Sequence, residues 1–237
     1  MTTFAIGVDL GGTNLRIAAV DGAGKMLEKI TTSTEVVRGR DQVIDEMCGA
    51  IQKIVDKLSD TGVLAGIGIG VPGIIEMQTG MLRDSPNLPG WHNYPVRDEI
   101  ERRLKTTVVL ENDANVAALG EKWLGAATAV DDMIMLTLGT GVGGGIVLEG
   151  KIWHGMTGMA GEPGHINVEP DGHPCNCGSR GCLEQIASAT AVRRMAAEAI
   201  LAGNAPHMAK AMKESPEFTS KVIYELAMLL PVTSFTR

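Results

Sequence analysis

The sequence predicts an α/β fold of two similar lobes facing a cleft, and two observations carry that reading. Strand-length apolar runs alternate with amphipathic helical stretches along the chain. Two strand pairs close on glycine-rich turns, Gly11-Gly12-Thr13-Asn14 and Gly139-Thr140-Gly141-Val142-Gly143-Gly144-Gly145, and each pair is followed by helices.

In chain order, Phe4 to Asp9 and Leu15 to Val20 are apolar runs on either side of the first glycine turn. Asp21-Gly22-Ala23-Gly24 turns the chain into a third strand, Met26 to Thr32. Over residues 41–58, Ile44, Met47, Cys48, Ile51, Val55 and Leu58 recur at helical spacing, and Cys48 reads as core. Leu64 to Val71 is a buried strand closed by Pro72-Gly73. Pro95 opens a helix over Val96 to Leu104, and a strand follows at Val108 to Glu111. Asn112 to Leu124 reads as a helix capped by Asn112 or Asp113. Met133 to Leu138 is the next strand, and Gly145 to Leu148 resumes the sheet. A last apolar helix begins near Glu225 and stops before Pro231. The lobes are expected to be residues 1–115 and 116–237.

Length and composition narrow the functional classes. A chain of 237 residues with 44% apolar and 21% charged residues can bury a sizeable core and is not a disordered segment. Its net charge of −7 gives no basic footprint for nucleic acid. An anionic ligand remains compatible, because backbone amides and a few local cations can hold phosphates. Met1-Thr2-Thr3-Phe4 has no basic stretch leading into an apolar one, and Val63 to Val71 is too short to span a bilayer. A cytoplasmic protein with no membrane partner is the expectation.

Four motifs carry chemistry. Asp9-Leu10-Gly11-Gly12-Thr13-Asn14-Leu15-Arg16 lies between two strands, so it is a hairpin and not the strand-to-helix turn of a P-loop. Its glycines let backbone N–H groups approach phosphate oxygens, Thr13 and Asn14 add donors, Arg16 adds a cation, and Asp9 can hold Mg²⁺ through water. A plain glycine hairpin is the competing reading. The second run, Leu138 to Gly145, repeats the pattern, as a site gripping a triphosphate from two sides requires. The third, Glu111-Asn112-Asp113-Ala114-Asn115, sits at a strand-to-helix junction. There Asp113 can accept the proton of an attacking hydroxyl while Asn112 bonds a sugar, or the pair can serve only as a helix cap. The fourth is His165 ten residues before Cys175-Asn176-Cys177-Gly178-Ser179-Arg180-Gly181-Cys182, a set that fits a closed tetrahedral Zn²⁺ site. A disulfide reading leaves an odd thiol. On spacing alone His173 rivals His165 as the fourth ligand.

Together Asp9 to Arg16, the Gly139 to Gly145 run, Gly161-Glu162-Pro163-Gly164-His165 and Cys175 to Glu184 resemble the ROK family, over about Ile6 to Ala191. The resemblance implies an actin-like ATPase (ribonuclease H-like) two-lobed fold and ATP-dependent phosphorylation of a hexose, with Mg²⁺. It makes Asp113 the catalytic base. It assigns Gly73, Asn87, Asn112, Glu162, His165 and Glu184 to the sugar. Asp9, Gly11, Gly12, Thr13, Asn14, Arg16, Gly139, Thr140 and Gly141 fall to the ATP phosphates, and His165, Cys175, Cys177 and Cys182 to structural zinc, in preference to His173. Ser85-Pro86-Asn87-Leu88-Pro89-Gly90-Trp91 and Glu162 to His165 look most like bacterial glucokinases, so glucose is the expected sugar.

The family also holds sugar-responsive repressors with a DNA-binding domain before the kinase-like part; here only Met1-Thr2-Thr3 precede the first strand. Full-length relatives are expected to be homo-oligomers. They also run on past this length, through a further glycine-rich segment that receives adenosine, and nothing after Ala191 supplies one. The expectation is therefore a truncated chain with an incomplete C-terminal lobe and crippled nucleotide binding, the alternative being a sugar-binding remnant without activity.

Overall fold

The computed structural model describes residues 1–214 and 219–228. Contacts divide the chain into two compact units. The first holds Met1–Met135 and Gly145–Gly161; the second holds Leu136–Gly144 and the described residues from Glu162 onward. The boundary expected between residues 115 and 116 is not where this division falls, because the helix that begins at Asp113 groups with the first unit.

In the first unit, β1 (Thr2–Leu10), β2 (Asn14–Asp21) and β3 (Met26–Ser33) form an antiparallel meander. α1 (Arg40–Leu58) then crosses over to β4 (Gly62–Val71), which runs parallel to β1. A small hairpin of β5 (Ile74–Glu76) and β6 (Met81–Asp84) leads to α2 (Val96–Leu104). β7 (Val108–Asn112) joins β4 in parallel and completes a five-stranded sheet of order β3-β2-β1-β4-β7.

Alternation along β1 buries Phe4, Ile6, Val8 and Leu10 on one face. α1 adds Val43, Ile44, Met47, Cys48, Ile51 and Ile54 to the same core, with Val55 and Leu58 at its margin. Each fully buried aliphatic side chain there contributes about 1.5–3 kcal/mol before chain entropy is counted. The register has a functional consequence. Thr31 pairs with Arg16, Arg16 with Asp9, Asp9 with Gly70, and Gly70 with Glu111, so one row crosses all five strands near the end of the sheet. The carboxyl ends of the parallel strands β1, β4 and β7 meet at that row, which is where open α/β sheets place ligands.

α3 (Asp113–Leu124) follows β7 without an intervening loop. β8 (Met133–Leu138), β9 (Val142–Leu148) and β10 (Lys151–Ile152) form a second sheet of order β10-β9-β8. β8 has the expected bounds, whereas β9 begins at Val142, so the last four residues of the second glycine run are strand and only Gly139 to Gly141 form the turn.

The second unit carries an irregular loop to Leu183, then α4 (Glu184–Ala187), α5 (Ala189–Leu201), α6 (Pro206–Glu214) and α7 (Ser220–Met228). The expected helix end at Pro231 lies outside the described residues. Among the described residues no helix is long and apolar enough to cross a membrane.

Candidate functional site

The first hairpin turn is closed by the Gly11 N–H donating to Asn14 O at 2.9 Å. The amides of Gly12 and Thr13 bond no partner among the described residues, so they remain available to an anion. Arg16 Nη1 donates to Asp9 Oδ2 at 2.7 Å, and both side chains are about half exposed. A β-carbon on Gly12 would lie 2.7 Å from the carbonyl oxygen of Asn87, so this glycine lets the turn rest on the segment carrying Asn87.

Asn112, not Asp113, is the α3 cap. Its Oδ1 accepts from the N–H groups of Ala114 (2.9 Å) and Asn115 (3.2 Å), while its Nδ2 donates to Gly73 O at 3.3 Å. Gly73 has φ +122° and no room for a β-carbon beside the Asp84 carbonyl, which fixes glycine at that contact. With the cap supplied by Asn112, Asp113 is left at the first helical position, where its Oδ1 accepts the Ala114 N–H at 2.9 Å. Desolvation by the surrounding protein raises the pKa of the Asp113 carboxyl, although the residue keeps an exposed face. The negative charge of Asp9 adds to the rise and the Ala114 N–H opposes it. A carboxyl of raised pKa near the end of the Arg16–Asp9 row has the character of a general base.

In the second unit the turn Gly139 to Gly141 is held by its carbonyls. Gly139 O accepts from the Ala189 N–H at 2.8 Å, and Thr140 O from the Thr190 hydroxyl at 2.8 Å, both at the start of α5. The amides of Thr140 and Gly141 bond no partner among the described residues. Glu184 Oε2 accepts from the Val142 N–H at 3.0 Å and fills the space a side chain on Gly141 would need. This contact was not foreseen for a residue assigned to the sugar.

The cysteine loop gathers as expected. His165 Nδ1 lies 3.6 Å from Cys175 Sγ, Cys177 Sγ lies 3.6 Å from Cys182 Sγ, and all four ligand atoms fall within 4.8 Å of one another. Tetrahedral Zn²⁺ with ordinary bond lengths spaces its sulfurs about 3.8 Å apart and sulfur from nitrogen about 3.6 Å, so the set fits that ion. His173 is outside the group; its Nδ1 faces Pro174 O. The Ser179 N–H draws the Cys177 pKa down, while burial and the neighbouring thiols push that of Cys182 up. Three crowded thiols cannot all ionise without a cation, and a bound dication relieves that conflict. The opposite ring nitrogen of His165, Nε2, is 4.0 Å from the Glu162 carboxylate, so the imidazole links the cysteine loop to a residue assigned to the sugar.

The likenesses to known proteins follow the same residues. A model of the ROK family matches residues 5–233. The chain belongs to the ROK family. A glucokinase of Thermotoga maritima is 48% identical over 193 residues, which are 81% of this chain and 60% of that protein. A xylose repressor of Caldicellulosiruptor bescii is 38% identical over 79% of this chain and 47% of its own. A solved ROK family glucokinase from Streptomyces griseus, in complex with glucose and AMPPNP, aligns with a TM-score of 0.75 at 37% identity, covering 98% of this chain and 73% of that one. The chain thus spans about 60% of the length of the Thermotoga protein. Its fold is the actin-like α/β fold expected from the ROK resemblance.

Within this ROK chain, sequence reasoning quoted Glu111 but gave it no role, and it missed His154. Glu111 is buried, and His154 Nε2 lies 2.7 Å from its Oε2. Its Oε1 accepts from the Asn112 N–H at 2.8 Å and from Asn115 Nδ2 at 3.0 Å. A charged residue in the fourth place of an apolar strand was the available signal, since a buried carboxylate demands partners.

Proposed function

We propose that this chain carries out ATP-dependent phosphorylation of glucose to glucose 6-phosphate, with Asp113 as the general base. The observation that carries the reading is the Asp113 carboxyl, released from capping by Asn112 and raised in pKa near the row that holds Arg16 and Asp9. Likeness to glucokinases of Thermotoga maritima and Streptomyces griseus supports the sugar.

On this reading Asp113 takes the proton of the attacking hydroxyl, the guanidinium of Arg16 and the open amides of Gly12 and Thr13 are assigned to the phosphates, and so are the open amides of Thr140 and Gly141. Asp9 would hold Mg²⁺ through water, where the ion would offset phosphate charge. Gly73, Asn87, Asn112, Glu162, His165 and Glu184 are assigned to the sugar, and His165, Cys175, Cys177 and Cys182 to a structural Zn²⁺. Asn112 keeps only its amide nitrogen for that task, since its oxygen caps α3.

A panel of hexoses with ATP, run on this chain and on Asp113→Ala, tests the proposal. Glucose should be turned over fastest, and Asp113→Ala should lose about 10²–10⁴-fold in kcat. Equal activity in the two would remove Asp113 as base, and glucose binding without turnover would leave only the sugar half of the reading. Metal analysis should return one zinc per chain; its absence, with three reactive thiols, would remove the zinc assignment.

A further inference from the structure

We propose that His154 is a positioning residue for phosphoryl transfer, acting through the buried Glu111 carboxylate to set Asn112 and Asp113. The inference rests on the reading of Asp113 as base. Glu111 is the hub: one carboxylate oxygen takes the His154 ring N at 2.7 Å, the other takes the Asn112 N–H and the Asn115 side chain. Asn115 in turn gives its own N–H to Asn112 Oδ1 at 3.2 Å, so the contacts form a closed loop around the β7–α3 junction. The peptide that Glu111 holds is the one leading into Asn112, the residue next to Asp113.

His154 arrives from 43 residues away, and the local structure is built to bring it there. Trp153 N donates to Ile146 O at 2.8 Å, which continues the β9–β10 ladder to the residue before His154. The Ala160 N–H donates to His154 O at 3.1 Å and folds the following loop back. Gly145 on β9 is the enabling position, because a β-carbon there would lie 2.6 Å from Ala118 Cβ and 3.2 Å from Asn115 Oδ1. The third glycine of the Gly143-Gly144-Gly145 run therefore lets β9 approach α3 and delivers His154 to Glu111. The His154 side chain is 32% exposed and that of Glu111 11%, so the ring closes the carboxylate off on its open side. Without the ring, Glu111 loses the partner of one oxygen and can turn toward water, and the Asn112 N–H loses a fixed acceptor.

The test compares His154→Leu, which removes the donor, with His154→Gln, whose side-chain amide can replace it. His154→Leu should lower kcat about 10–100-fold while leaving KM for glucose and ATP within about threefold, as a misplaced base does. His154→Gln should recover most of that loss. Amide hydrogen exchange supplies a readout independent of turnover: the Asn112, Ala114 and Asn115 amides should exchange about tenfold faster in His154→Leu and near parent rates in His154→Gln. An active parent with unchanged kcat in His154→Leu overturns the inference, as does equal impairment of both variants. If the parent phosphorylates no hexose, the proposed function falls instead. Exchange then decides alone, with unchanged protection in His154→Leu overturning the positioning role.

Discussion

The hairpin at Asp9–Arg16 and the hairpin at Leu138–Val142 both offer unpaired turn amides, yet different atoms hold them. In the first, Arg16 pairs with Asp9 across the ladder, Thr13 O accepts from the Thr34 N–H at 2.8 Å, and the turn leans on the Asn87 backbone through Gly12. In the second, two carbonyls are bonded to the start of α5, and Glu184 lies beneath Gly141. An exposed ion pair can be loosened by a ligand phosphate or by salt, whereas bonded carbonyls and filled space cannot. Both hairpins thus have bonded carbonyls, and the first adds an ion pair that electrostatics can tune. Substitutions should separate the two.

The largest effect is expected at Gly164, the residue before His165. A β-carbon there would run into the carbonyl oxygen of Val142, at the exit of the second hairpin, and neither backbone can yield. Gly164→Ala should cost about 3 kcal/mol in urea unfolding, the upper end for overpacking. A loss under about 1 kcal/mol would show that packing does not fix this hairpin. Gly12→Ala comes next at about 1–2 kcal/mol, because a β-carbon there would meet the Asn87 carbonyl at 2.7 Å, a milder overlap than the one at Gly164. A loss matching that of Gly164→Ala would erase the contrast between the hairpins. Gly141→Ala should cost still less, about 0.5–1.5 kcal/mol. The obstacle there is the Glu184 carboxylate, which can swing away at the expense of its bond to the Val142 N–H. Adding Glu184→Ala to Gly141→Ala should then cost little more, and additive losses would show that the two do not meet.

The contrast also explains what could be read in advance. Both hairpins, the bounds of α2 and β8, and the core face of α1 were legible, because turn residues and side-chain periodicity are local signals. The gathering of the three cysteines followed from ligand spacing, whereas His165 was preferred to His173 only through the family resemblance. The carbonyl anchors of Thr140 and Gly139, Glu184 under Gly141 and His154 on Glu111 join residues 42 to 50 positions apart and leave no periodic trace. The split between Asn112 and Asp113 was half legible. Both are good caps by composition, and only the bonds to Ala114 and Asn115 decide which one performs it. The division of contacts after residues 135 and 144 was hidden, since β8 and β9 run on through it without a break in their apolar pattern.

The smallest stability effect, and the sharpest test of an electrostatic first hairpin, lies at Asp113. Its pKa is raised in the folded chain, so between the ordinary aspartate value of about 3.9 and the raised one the native state holds more protons than the unfolded state. Stability therefore falls as pH climbs through that window, and the full penalty is present at neutral pH. Asp113→Asn should accordingly have a slightly higher urea midpoint than the parent at pH 7, and the gap should close as pH drops below the ordinary value. Asp9 contributes to the rise, so the gap should shrink in an Asp9→Asn background and widen in Arg16→Gln, where Asp9 loses its partner. The pH at which kcat reaches half its plateau should move the same way, down with Asp9→Asn and up with Arg16→Gln, and more so at low salt. A gap indifferent to both substitutions would mean that burial alone sets Asp113 and that the charge of the first hairpin does not reach the base.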